Sequence, residues 1–447
     1  MNRILILLLI SISFPNSIKD NYSDISLRII SEALSDSTAY QRLAYLCDSF
    51  GPRLSGSKNL ENSINWIIDE MKNDGFDRVE GQRVKVPTWI RGDESVHILK
   101  PFKKELSMLG LGGSVSTPKS GITADVLVVN NYDDLESKSD KVRGKIVLYN
   151  VPFTNYSETV QYRYSGASRA AKYGAVASLV RSISDWSMDT PHTGVMGYDE
   201  NYDKIPTAAL TMEDAMMLGR IHERKQKITL KLHMEAKTVG DRWSRNIISE
   251  IKGHEHPDEL VVVGAHIDSW DVGQGAHDDG GGCIASWEVL RLIKTLGLKP
   301  KRTIRCVLWT NEENGLRGSN SYRDMHLDEL DNHIVAIESD AGVFAPQGFG
   351  FSGNKDARKT IENIHELLKP IKANQITDWG RAPDVAILND EGIPVMSLNV
   401  DLSKYFWYHH SAADTFDKVD FHDFNKCVAA MAIMAFVIAD LDRPLPR

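Results

Sequence analysis

The chain has 447 residues, 42% hydrophobic and 25% charged, so it can bury one large core or two smaller ones without covalent cross-links. Its formal net charge of -9 argues against nucleic acid and anionic membrane surfaces as partners, because the protein repels phosphate on balance. The four cysteines, Cys47, Cys283, Cys306 and Cys427, show no Cys-x-x-Cys spacing, which removes a thiolate zinc site and a thioredoxin-like motif. Burial as small apolar side chains is the expected role of Cys283 and Cys306, which lie in predicted core elements, and a disulfide is not deducible from the spacing.

In chain order, Met1-Asn2-Arg3 leads into the almost wholly apolar stretch from Ile4 to Phe14. A charged start plus a hydrophobic run too short to cross a bilayer reads as a secretory signal, placed at 1–18, with a buried first helix as the competing reading. No later stretch reads as a membrane span, so the expected product is soluble and either secreted or lysosomal. In that compartment the sequons Asn21-Tyr22-Ser23 and Asn155-Tyr156-Ser157 would make Asn21 and Asn155 glycosylation sites. Helical periodicity follows at 31–47 and 60–73, the second helix closed by Gly75, with the loop Gly51-Pro52-Arg53-Leu54-Ser55-Gly56-Ser57 between them.

From about 123 the texture turns to strands, at 124–129, 144–149, 205–210 and 228–234, with a helix at 167–173 ended by Gly174. This predicts a β-rich insert over 108–237, set into a larger domain formed by 19–107 and 238–447. The second half alternates strands at 259–264, 303–309, 333–338 and 394–399 with helices at 282–296, 356–368 and 421–441, the last read as amphipathic. Such alternation predicts an α/β fold: a mostly parallel, mixed sheet sandwiched by helices.

In open α/β sheets the functional site lies beyond the carboxyl ends of the strands. His266, the pair Glu312 and Glu313, Asp340 and, after a short loop, His410 each follow a predicted strand. Asp278 sits in the glycine-rich turn Gly275-Ala276-His277-Asp278-Asp279-Gly280-Gly281-Gly282. Imidazole and carboxylate without thiolate suit zinc, and two metals about 3.5–4 Å apart need a bridging carboxylate. Asp278 is the expected bridge, with His266 and Asp340 completing one Zn2+ and Glu313 and His410 the other, two per chain. Glu312 stays free as general base, taking a proton from the nucleophilic water and returning it to the leaving amine. Asp268 is expected to fix the tautomer of His266, and Asp414 to orient His410. His409 competes with His410, which is favoured because it stands directly before Ser411-Ala412-Ala413-Asp414-Thr415.

The runs Gly264-Ala265-His266-Ile267-Asp268-Ser269-Trp270-Asp271, Gly275 to Gly282, Asn311-Glu312-Glu313-Asn314-Gly315, Glu338-Ser339-Asp340 and His410 to Thr415 resemble the motifs of the co-catalytic dizinc exopeptidases. The resemblance covers most of the chain after the signal, including Arg53-Leu54-Ser55-Gly56-Ser57. It implies a zinc exopeptidase (phosphorylase/hydrolase-like) fold, the same five zinc ligands, a catalytic Glu312, dipeptide or short peptide substrates, and a secreted or lysosomal homodimer made with a propeptide. Gly144-Lys145-Ile146-Val147-Leu148, Gly174-Ala175 and Ile205-Pro206 make the insert similar to a protease-associated domain. Two readings stay open beside this one: a one-zinc acyltransferase of the glutaminyl cyclase type, and a receptor-like ectodomain that has lost its ligands. An arginine in the pocket would favour acidic substrates or a free carboxylate, and the sequence places none there.

Overall fold

The computed structural model describes residues 18–447, so all but the last residue of the expected signal lies outside the described residues. Three helices, α1 (Ile18–Ser35), α2 (Thr38–Phe50) and α3 (Lys58–Asn73), precede the strand β1 (Arg78–Ile90). Where one helix was expected over 31–47 there are two. The Asp36 side chain accepts hydrogen bonds from the amide and hydroxyl of Thr38, at 2.8 and 2.7 Å, and this local turn interrupts the helix.

The next group of elements is β2 (Glu94–Lys100), β3 (Lys104–Leu106), β4 (Met108–Gly110), β5 (Ile122–Val129), α4 (Tyr132–Ser137), β6 (Ile146–Tyr149), α5 (Tyr156–Ala171), β7 (Ala177–Arg181), β8 (Thr207–Leu210), α6 (Met212–Glu223) and β9 (Thr229–Met234). Their strands form one mixed sheet in the order β3-β2-β9-β5-β6-β7-β8-β4. The sheet thus takes in strands from Glu94 onward, ahead of the expected boundary at 108. The reason is the pairing of β2 with β9, which buries Val96 and Ile98 in the same core as Leu230 and Leu232.

The chain then continues through β10 (Lys237–Ile251), β11 (His256–His266), α7 (Gly281–Thr295), β12 (Arg302–Trp309), α8 (Arg317–Met325), β13 (His333–Glu338), β14 (Pro346–Ser352), α9 (Lys355–Ile364), β15 (Gln375–Thr377), α10 (Pro383–Asp390), β16 (Val395–Val400), α11 (Tyr405–Tyr408) and α12 (Phe421–Asp440). The large sheet runs β1-β10-β12-β11-β13-β16-β14-β15. Its four central strands, β12, β11, β13 and β16, are mutually parallel, and antiparallel partners extend it on both sides, so the expected mixed sheet is found. Strand alternation divides the core. Val261, Val263 and Ala265 of β11 face the helices α7 and α12, while Val262 faces the layer built by Tyr322, Val385 and Leu388.

Two elements differ from the sequence expectation in kind. The ribbon of β1 and β10, paired from Arg78 with Glu250 to Ile90 with Lys237, carries the chain out to the insert and back. Its β1 half, with Gly81, Pro87 and many charged residues, carries strand patterning too weak to predict a strand there. Helix α12 is not amphipathic. Cys427 to Ala439 is buried throughout, because the helix lies inside the core beneath the sheet. It is long and apolar enough to cross a membrane, and 78% of that apolar window is buried within the protein.

His333, at the start of β13, is fully buried; its Nδ1 donates to the Glu329 carbonyl at 2.9 Å and its Nε2 accepts from the Tyr322 hydroxyl at 2.9 Å. Burial, ahead of the nearby Arg305 charge, lowers its imidazole from 6.5 to about 4. The unfolded chain therefore takes up this proton first. The stability His333 contributes is complete above pH 6.5 and is lost as the pH falls toward 4. Urea midpoints at pH 7 and pH 5 should differ less in His333→Asn than in the wild type.

Candidate metal centre

The parallel register aligns the strand ends that carry the candidate ligands. His266, the last residue of β11, lies opposite Trp309 of β12, and Gly264 lies opposite Glu338 of β13. Two residues beyond β12, Asn311 adopts a left-handed φ of 69°, which a short polar side chain tolerates, and this turns Glu312 and Glu313 toward the strand ends. Gly275 opens the turn bearing Asp278 at φ 56°, where an added Cβ would lie 2.4 Å from Ser269 Cβ. His410 also has a positive φ, 60°, and its carbonyl accepts the Thr193 amide of the insert at 2.9 Å. A residue held in this uncommon region by its surroundings is typical of a functional site.

The five expected ligands converge. His266 Nε2 lies 3.2 Å from Asp278 Oδ1 and 3.2 Å from Asp340 Oδ1. His410 Nε2 lies 3.1 Å from Glu313 Oε2 and 3.4 Å from Asp278 Oδ2. The two oxygens of Asp278 thus face two separate histidine–carboxylate pairs, the arrangement of a carboxylate shared between two cations. Asp278 Oδ2 and Glu313 Oε1 are buried and have no hydrogen-bond partner, a costly condition for carboxylate oxygens unless a cation meets them. The donors therefore fit a pair of divalent metals. His409 stacks on His410 with centroids 3.5 Å apart, and its Nε2 is 3.8 Å from Asp278 Oδ2. His410 is the closer of the two to the carboxylates.

The electrostatics agree. Burial pushes the carboxyls of Glu312 and Glu313 well above the usual range, with neighbouring carboxylates adding to the effect. Burial also raises Asp340. Burial opposes ionisation of Asp278, yet the His266 hydrogen bond and the His409 charge hold its carboxyl below the ordinary value. Burial lowers His410 well below 6.5, so it stays neutral and free to ligate. The acid cluster, chiefly Asp340 and Asp278, overcomes burial to raise His266 well above 6.5. Divalent cations would replace that proton and relieve the repulsion among the carboxylates.

Residues 246–435 match Peptidase family M28. Carboxypeptidase Q of Homo sapiens is 46% identical over 427 residues, which cover 95% of this chain and 90% of the relative. The chain belongs to peptidase family M28. The Xenopus laevis carboxypeptidase Q is also 46% identical, over 96% of this chain and 92% of its own. Among solved structures, the Peptidase M28 precursor from Shewanella amazonensis superposes with a TM-score of 0.92 at 34% identity, covering 96% of this chain and 100% of that one. BSAP, a zinc aminopeptidase from Bacillus subtilis, shares the fold with a TM-score of 0.68 at 22% identity, over 91% of this chain and 98% of that one.

In this M28 chain the supporting carboxylates act differently from the sequence expectation. The His266 Nδ1 donates to the backbone carbonyl of Asp268 at 2.9 Å, while the Asp268 carboxylate lies 3.9 Å away. The carbonyl fixes the tautomer. The carboxylate instead accepts the amides of Glu312, at 3.1 Å, and Glu313, at 3.4 Å, and so sets the loop that carries both acids. Asp414 does not contact His410; it accepts the amides of His277 and Asp278, at 2.8 and 3.1 Å, and anchors the backbone of the turn that carries Asp278. Asp279 accepts the amides of His266 and Gly282, both at 3.2 Å, joining the end of β11 to the start of α7. Asn21 and Asn155 both occupy exposed positions; Asn21 is in the first turn of α1, and Asn155 caps α5.

Sequence reasoning missed the internal brace. Arg53 is fully buried and donates to four carbonyls: Ile267 at 3.0 Å, Gly51 at 3.0 Å, Gln274 at 2.6 Å and Gly275 at 2.9 Å. Two residues on, Ser55 Oγ donates to Asp268 Oδ2 at 3.2 Å and accepts from Asn311 Nδ2 at 3.0 Å. One loop thereby ties the segments carrying His266, Asp278, Glu312 and Glu313. The one signal in the sequence was the Arg53-Leu54-Ser55-Gly56-Ser57 motif, whose partners, the Gly51 carbonyl apart, lie more than 200 positions away. Replacing Arg53 by Met strands those carbonyls without donors. Zinc affinity, measured by competition with a chelator, should fall about 10–100-fold, the range for lost outer-sphere support, with Arg53→Lys falling less.

Proposed function

We propose that this M28 peptidase holds two zinc ions between His266, Asp278, Asp340, Glu313 and His410 and removes a terminal residue from dipeptides or short peptides. The observation that carries the reading is the pair of Asp278 oxygens, each aimed at a different histidine–carboxylate pair. When bound, the cations supply Lewis acidity, lowering the pKa of a water and favouring negative charge on the scissile carbonyl oxygen. The chain's own residues do the rest. Glu312 takes the proton of the attacking water and delivers it to the departing amine. Asp268 holds the Glu312 amide, and so the position from which that carboxyl works.

A one-zinc acyltransferase would leave half of this donor set unused, and a receptor-like relative would have lost a ligand, whereas all five are present and adjacent. The carboxypeptidase name borne by the relatives favours substrates read from the carboxyl end. The reading extends to a glycosylated, secreted or lysosomal homodimer, supported by the sequence resemblance and by the exposed positions of Asn21 and Asn155.

Glu312→Gln should lower kcat about 10²–10⁴-fold on a dipeptide while elemental analysis still finds two zinc ions per chain. Near-normal turnover with both metals in place would defeat the assignment. Exhaustive chelation should abolish activity, and added zinc should restore it. Enzymatic removal of N-linked glycans from protein made in a secretory host should lower its apparent mass, with Asn21→Gln and Asn155→Gln each removing one step.

A further inference from the structure

The candidate site opens into a cleft of about 570 Å³. Among the described residues that line it, the one lysine or arginine is Arg163, which comes from α5 of the insert and not from the domain that carries the metal donors. It is only 4% exposed. Its Nη1 donates to the Thr193 carbonyl at 3.2 Å and lies 3.3 Å from His410 Nδ1; its Nη2 donates to the Tyr156 hydroxyl at 2.8 Å. All three are neutral groups, and its Nε is buried without a partner.

Buried Arg302 and Arg305 meet carboxylates, Glu259 for the first and Glu250 and Glu329 for the second, and Arg91 is clamped by both oxygens of Asp271. Arg53 meets no carboxylate but donates to four carbonyls. Arg163 has neither a carboxylate partner nor a full set of acceptors, and a buried guanidinium without a counter-charge is destabilising. The backbone makes room for it: Gly194, at φ 141°, is so close that an added Cβ would lie 2.3 Å from Arg163 Cζ. The charges of the cleft point the same way. Asp278, Glu312, Glu313 and Asp340 line it, two divalent cations would match them, and Arg163 remains in excess.

We propose that Arg163 binds a carboxylate of the peptide substrate, so that the insert reads the substrate end while the first domain cuts. The inference rests on the peptidase reading above. A guanidinium fork matches the geometry of a carboxylate, and the buried setting strengthens the pairing. The carboxylate is either the free carboxyl terminus or the side chain of an acidic residue next to the scissile bond; the chemistry is shared, and the substrates separate the two.

The test compares kcat/KM of the zinc-loaded enzyme on alanyl-alanine, alanyl-alanine amide and alanyl-glutamate α-amide, in wild type, Arg163→Met and Arg163→Lys. Wild type should prefer a carboxylate-bearing substrate over alanyl-alanine amide at least tenfold. Alanyl-alanine is the favoured one if the terminus is read, alanyl-glutamate α-amide if the side chain is. In Arg163→Met that preference should shrink about 10–100-fold, mainly through KM, as expected when a charged hydrogen bond shared by ground and transition states is removed. Arg163→Lys, which keeps the charge without the fork, should retain part of it. A wild type indifferent to the carboxylate, or an Arg163→Met enzyme that keeps the full preference while slowing on every substrate, would overturn the proposal. Inactivity of the zinc-loaded wild type on all three would count against the peptidase reading itself.

Discussion

The constraint on which this structure turns is the packing of several carboxylates and two imidazoles within hydrogen-bond distance of one another in a buried pocket. Left to themselves, like charges so arranged repel, and burial disfavours each ionised form. The directions of the acid shifts express that conflict: Glu312, Glu313 and Asp340 are pushed up, while Asp278, between two histidines, is held down. A pair of divalent cations resolves it, and the unpartnered Asp278 Oδ2 and Glu313 Oε1 lie where such cations would reach them.

Holding these groups in place falls to side chains that are not metal donors. Asp268 and Asp414 each accept two backbone amides of ligand-bearing loops, and Arg53 and Ser55 close the bracing from beneath. The geometry thus rests on buried polar groups that are individually satisfied, which makes the network stiff and sensitive to the loss of any member. The parallel sheet supplies the platform. Its central strands end on one edge, and their register fixes which residues meet there.

The insert is more than an appendage. Leu54 and Trp270 of the first domain pack into its core, His192 donates to the His409 carbonyl at 2.6 Å, and the Thr193 amide holds the carbonyl of His410. The long ribbon of β1 and β10 joins the two parts, so the cleft is walled by both, with Tyr156 and Arg163 on one side and the acids on the other. Chemistry and substrate recognition are thereby divided between two folded units that must sit in register.

The sequence by itself determined the parallel strands, read from runs such as Val261 to Gly264 and Thr303 to Trp309, and the candidate donors that meet beyond them, because strand ends are where an α/β sheet presents its chemistry. It determined the donor types as well, since residue identity is chemistry and needs no geometry. Only the tertiary structure decided what Asp268, Asp414, Arg53 and Arg163 touch. Their partners are backbone amides, carbonyls and rings brought close by folding, and a contact between positions 53 and 275, or 163 and 410, leaves no periodicity along the chain. The same reason explains the pairing of β2 with β9 and the burial of α12. Both depend on which surface a segment packs against, and an apolar helix or an alternating strand reads alike whether it faces one neighbour or is enclosed by several.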